Sequence, residues 1–151
     1  MGLFSFIADK GMQLFGGNSA TENSEKAQKI TEFVSKMGLN VDSFSASVDN
    51  DTATINGQAD SGETREKVIL AVGNVEGIAS VDDHLTVSTP TPEAKFYTVQ
   101  SGDSLSKIAK EFYGDPMKYT QIFEANKPML AHPDKIYPGQ TLRIPNESTL
   151  A

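Results

Sequence analysis

The stretch from residue 88 to residue 95, Ser-Thr-Pro-Thr-Pro-Glu-Ala-Lys, limits the fold more than any other feature of this sequence. Two prolines hold it extended, and it contains almost nothing that can pack. It divides a chain of 151 residues into two pieces, each the size of a small domain. The expected organisation is an N-terminal segment over 1–21, a first domain over 22–87, a linker over 88–95, a second domain over 96–145 and a tail over 146–151.

The first domain alternates helix and strand signals. Ser24, Ala27, Ile30, Phe33, Val34 and Met37 outline a capped amphipathic helix closed by Gly38. Phe44, Ala46 and Val48, then Ala53, Ile55 and Gly57, alternate with polar residues around Asp49-Asn50-Asp51, which predicts a hairpin. A second helix is expected over 62–72, stopping at Gly73-Asn74, and a third strand over 78–87. That order is αββαβ, an α+β layer with helices on one face of a small sheet. Ahead of it, Leu3, Phe4, Ile7, Gly11, Leu14 and Phe15 have near-helical spacing. So short a helix needs a surface to dock on. Packing on the first domain is preferred to membrane contact, because the polar face lacks Lys/Arg enrichment.

Ala53-Thr54-Ile55-Asn56-Gly57-Gln58-Ala59, followed by a helix and then Val75-Glu76-Gly77-Ile78-Ala79-Ser80-Val81-Asp82-Asp83-His84-Leu85, resembles the BON domain. The pattern there is V-x-G and a later V-x-G-I-x-x-V-x-(D/N)-x-L, with Ile55 here in place of the first Val. Gly57 spares volume within a strand, and Gly77 permits a tight turn before the last one.

The second piece carries the stronger signal. Tyr97-Thr98-Val99 leads through Ser101-Gly102-Asp103-Ser104 into a helix over Leu105–Tyr113, and a second helix is expected over about 117–125. Ile136-Tyr137-Pro138-Gly139-Gln140-Thr141-Leu142-Arg143-Ile144-Pro145 then makes a turn and a closing strand. Both ends resemble the LysM domain, a βααβ frame. A BON domain followed by a LysM domain, after an opening Met-Gly-Leu-Phe, is similar to the small bacterial cytoplasmic potassium-binding BON–LysM proteins.

Composition excludes several chemistries. The chain has no Cys, so disulfides, thiolate metal sites and thiol nucleophiles are absent. It has no apolar run long enough to span a membrane. Its start has no basic n-region, Asp9 and Lys10 interrupt the apolar stretch, and Phe6 stands where a myristoylation pattern needs Ser or Thr. A cytoplasmic protein is expected. Residues 1–90 hold six basic and thirteen acidic residues, against seven of each in 91–151, so the whole net charge of −7 lies in the first part. That field repels nucleic acid and suits cations.

His84 and His132 have no nucleophile or second ligand at a motif spacing and are expected at the surface. The pairs Asp49/Asp51 and Asp82/Asp83 are read as ordinary turn residues rather than paired catalytic carboxylates. Asp49-Asn50-Asp51 also fails as a calcium loop. A non-enzymatic binding protein is the expectation.

Two ligand classes follow from the resemblance. The first is a potassium ion in the BON part, held by backbone carbonyls, which can replace its water shell without a charged ligand. Two candidate helix ends offer such carbonyls. The resemblance carries the site to Ile7, Lys10, Gly73, Val75 and Ile78; the competing reading is that both glycine-marked ends are plain C-caps. The second is N-acetylglucosamine chains in a LysM groove between Gly102-Asp103-Ser104-Leu105 and Asp134-Lys135-Ile136, the cell-wall alternative. A third possibility makes LysM a docking partner for the BON domain or for other proteins. A monomer with BON–LysM interdomain contact is expected.

Overall fold

The computed structural model describes residues 2–6, 23–75, 77–90, 94–127 and 129–145. The chain divides into two compact units, Met1–Thr91 and Pro92–Ala151.

Unit one contains β1 (Gly2–Ser5), α1 (Asn23–Lys36), β2 (Val41–Asp49), β3 (Thr52–Ser61), α2 (Gly62–Gly73) and β4 (Ser80–Thr89). Its four strands are ordered β1-β4-β3-β2. β2 and β3 form the expected hairpin, turning through Asn50 and Asp51 between the pair Asp49↔Thr52. β3 and β4 run parallel, which requires a crossover, and α2 supplies it. Alternation along β3 and β4 buries Ala53, Ile55, Ala59, Val81 and Leu85 against the helices, with Ile30 and Val34 of α1 and the 68–72 stretch of α2. The sheet has the α+β character expected from the sequence.

Gly57 performs the spacing role assigned to it. β2 bulges between Asp42 and Ser45, where Ser43 takes a φ of 56°. A Cβ on Gly57 would lie 3.0 Å from both the Asp42 carbonyl oxygen and Val41 Cγ1, and the residue holds a φ of 143°. The bulge closes onto bare backbone.

Four expectations need correction. Residues 2–5 are a strand and not the start of a helix: they pair antiparallel with β4 from Gly2↔Asp83 to Ser5↔Ser80. Leu3 is 67% exposed while Phe4 and Phe6 are partly buried, so the period is two. The open edge of β4 offers a backbone ladder that an isolated helical turn cannot match. The rest of the 1–21 segment lies outside the described residues. Ser24 sits inside α1, which begins at Asn23. The linker is shorter than 88–95, because β4 continues to Thr89 and β5 begins at Lys95.

The fourth correction concerns the reading of Asp82 and Asp83 as turn residues: they lie on opposite faces of β4, within the strand expected over 78–87. Asp82 faces His84 at 3.1 Å on the partly exposed face. Asp83 is fully buried. Its Oδ2 accepts from Arg65 Nε at 2.7 Å and sits 2.7 Å from the second guanidinium nitrogen, while Oδ1 accepts from Leu85 N–H at 3.0 Å.

Unit two contains β5 (Lys95–Thr98), α3 (Leu105–Tyr113), a 3₁₀ turn (Pro116–Lys118), α4 (Tyr119–Ala125) and β6 (Thr141–Ile144), with β5 and β6 antiparallel. The βααβ frame matches the expectation, except that the second helix opens with the 3₁₀ turn. Asp115 caps that turn by accepting from Met117 N–H at 2.9 Å. The core joins Val99, Leu105, Ile108, Ala109, Ile122, Leu130, Leu142 and Ile144. Asn126, 2% exposed, donates to the Ile122 and Arg143 carbonyls at 2.8 and 2.9 Å and accepts from Arg143 N–H at 2.8 Å. Its amide thus pairs with β6 as a neighbouring strand would.

Candidate functional site

α2 is capped by Ser61, whose hydroxyl accepts from Thr64 N–H at 3.2 Å, and it runs inward until Val68–Gly73 are all buried. At its end Asn74 donates to the Leu70 carbonyl from both its backbone N–H, at 3.0 Å, and its side-chain amide, at 2.9 Å. Val75 N–H reaches the Val72 carbonyl at 3.2 Å, and Ile78 N–H closes a turn on the Val75 carbonyl at 3.1 Å. Gly77 takes a φ of 100° in that turn, the freedom its position demands.

The turn is then pinned from two sides. Ala79 N–H and Ser80 N–H both donate to the Asp51 carbonyl, at 2.8 and 3.2 Å, while Phe6 N–H donates to the Ala79 carbonyl at 2.8 Å. Three of the expected site residues, Gly73, Val75 and Ile78, therefore occupy one buried, hydrogen-bonded segment. Ile7 and Lys10 lie outside the described residues.

Gly73, Val75 and Ile78 have no ligating side chain, so these three residues can offer an ion only their main-chain carbonyls. The Val75 oxygen already takes one hydrogen bond; among the described residues no donor reaches the Gly73 or Ile78 oxygen. The helix dipole also places partial negative charge at this end. Weakly hydrated monovalent cations suit such neutral oxygens, whereas divalent and transition metals want carboxylates, imidazoles or thiolates. Among the described residues no group of three His, Cys, Asp or Glu side chains forms a metal cluster. Neutral main-chain oxygens of this kind are the ligand type that a weakly hydrated monovalent cation accepts.

The candidate glycan residues of unit two are largely engaged in holding their own loop. Asp103 Oδ2 accepts from the Tyr97 hydroxyl at 2.5 Å and from Gln100 N–H at 2.9 Å. Ser104 caps α3 by accepting from Lys107 N–H at 3.2 Å, Leu105 is 2% exposed in the core, and Gly102 holds a φ of 88°. Asp134 and Lys135 are exposed, and Ile136 packs against the core. Both histidines keep substantial exposure, with side-chain exposures of 39% for His84 and 59% for His132.

The Tyr97–Asp103 bond sets a pH dependence. Hydrogen bonds from Tyr97 and then Gln100 hold the Asp103 carboxyl below the usual carboxylate range. The same bond, with a smaller contribution from burial, pushes the Tyr97 hydroxyl up to about 12. The carboxylate's stabilisation is present above its unfolded value near ~3.9 and is lost as pH falls through its lowered folded value. The phenol's is present below about 10 and is lost as pH rises towards its folded value. Tyr97→Phe should return the Asp103 carboxyl towards the ordinary range in an NMR pH titration; an unmoved titration would show that the bond does not control it.

Comparison with known proteins agrees with this architecture. The BON domain model matches residues 23–89 and the LysM domain model residues 97–145. Over 149 residues the chain is 47% identical to the potassium binding protein Kbp of Escherichia coli O6:H1, covering 97% of this chain and all of that protein. The chain belongs to the Kbp family of BON–LysM proteins. Two further relatives share about a third of the chain. An uncharacterized protein of Deinococcus radiodurans is 57% identical over 49 residues, 32% of this chain and 19% of its own. The uncharacterized protein YqbP of Bacillus subtilis is 40% identical over 60 residues, 34% of this chain and 27% of its own.

Proposed function

We propose that this protein is a non-enzymatic, cytoplasmic potassium-binding protein whose ion sits in the BON unit and whose conformation changes on binding, so that it can act as an ion sensor. The observation that carries the reading is the near-complete alignment with a relative named for potassium binding. The carbonyl-lined segment at the end of α2 is chemically suited to the same ion. The main-chain oxygens of Gly73, Val75 and Ile78 would hold it, joined by those of Ile7 and Lys10. The ion would supply only charge, and ordering the chain around it would be the functional event.

The LysM match supports a second reading, a glycan-binding module for N-acetylglucosamine chains. Engagement of Asp103, Ser104 and Leu105 within their own loop counts against strong side-chain contacts there.

One set of calorimetric titrations separates the two. Potassium should give saturable binding, sodium weaker binding, and chitin oligomers little or none. A protein indifferent to potassium would not be what is proposed. Chitin binding near micromolar strength, about −8 kcal/mol, would shift the reading to the cell wall.

A further inference from the structure

α2 ends in a glycine that its backbone angles do not require. Gly73 is an ordinary helical residue followed by Asn74 at a φ of −85°, so no left-handed cap is formed. Glycine at such a position costs a helix up to about 1 kcal/mol relative to alanine. What Gly73 supplies is space. A Cβ there would be driven into the tip of the Phe6 ring, at Cζ, Cε1 and Cε2. The same Phe6 donates its N–H to the Ala79 carbonyl at 2.8 Å. One residue of the N-terminal segment thus touches both ends of the 73–79 segment, its ring at the first residue and its amide at the last.

We propose that Phe6 is the positioning residue of the cation site, clamping the 73–79 carbonyl segment and coupling ion binding to the docking of β1. The inference rests on the potassium reading above. A site built from neutral carbonyls has no strong charge to draw its oxygens into place, so their spacing depends on what holds the peptides that bear them. A phenyl ring does this well, because only two torsions need be fixed to seat it. Phe6 itself ligates nothing.

The test uses the full-length protein and four variants: Phe6→Ala, Phe6→Leu, Gly73→Ala and the double variant Phe6→Ala/Gly73→Ala. Each is titrated calorimetrically with potassium chloride and with sodium chloride, after urea melts confirm folding. Phe6→Ala should weaken potassium binding roughly tenfold, as the binding-competent arrangement becomes a minor population. It should also narrow the potassium-over-sodium preference, which a loss of stability alone would leave in place. Phe6→Leu, which retains bulk over Gly73, should recover part of both.

Gly73→Ala displaces the ring and should mimic Phe6→Ala. The double variant should be no worse than Phe6→Ala alone, because the clash disappears with the ring. Unchanged affinity and preference in Phe6→Ala, or fully additive losses in the double variant, would overturn the proposal while leaving potassium binding intact. Absence of potassium binding in the parent protein would instead remove the potassium reading and this inference with it.

Discussion

Arg65→Ala should be the most damaging single change in unit one, lowering its stability by about 3 kcal/mol. The reason lies in the asymmetry of the pair. Asp83 has no exposed surface, whereas the Arg65 side chain retains 18% of its own. Removing Arg65 leaves the carboxylate under α2 with the Leu85 N–H as its remaining hydrogen bond among those described. Removing Asp83 leaves a guanidinium that can turn towards water. Asp83→Ala should therefore cost less, about half as much. Replacing both by apolar residues of similar volume should recover most of the loss, since a buried pair is stabilising mainly relative to its broken forms. For a unit of this size the larger effect corresponds to a fall in Tm of roughly 12–20 °C. Thermal and urea melts of the three variants decide it. Asp83→Ala proving the more destabilising would sink the account.

That pair also shows what a sequence hides. Asp82-Asp83 reads as turn chemistry by residue type, and the partner that makes Asp83 a core residue is 18 positions earlier. Asn126 is similar: as a residue type it marks a helix end, but its amide completes the edge of β6 across 17 positions. Local patterns were legible where the period was long enough to decide. α3 begins and ends at the residues its periodicity predicts, and the β2–β3 hairpin turns at the Asp-Asn-Asp centre. β1 is not legible in the same way, because four residues fit a period of 3.6 as well as one of 2, and its partner, β4, lies nearly eighty positions later.

Of the proposed site, only the donor chemistry is legible in the sequence. A glycine after an apolar helical run points to a helix end and hence to free carbonyls. The sequence alone puts a plain cap slightly ahead of an ion, and only the family resemblance reverses that order. The plain-cap reading gives Gly73 a backbone role, whereas the structure gives it a steric one. The Phe6 contact that explains it spans two segments far apart in the chain.

Deleting residues 1–11 should abolish potassium binding, weakening it by at least about a hundredfold, or ~2.8 kcal/mol. The deletion removes β1 and with it the four register pairs on β4, Gly2↔Asp83 to Ser5↔Ser80. It removes the Phe6 amide from the Ala79 carbonyl and the Phe6 ring from Gly73. It also removes Ile7 and Lys10, two of the five residues proposed to supply carbonyls. What remains is an end of α2 whose own turn hydrogen bonds persist but whose outer support is gone. Hydrogen exchange should quicken at the amides of β4 that faced β1, because an unpaired edge exposes them to water. Exchange in unit two, whose core draws on Val99 to Ile144, should not change. This contrast separates a local loss from general unfolding. Calorimetry on the truncated protein, with exchange as the control, is the measurement. If the shortened chain bound potassium as tightly as the full one, the ion would have to sit elsewhere than the end of α2.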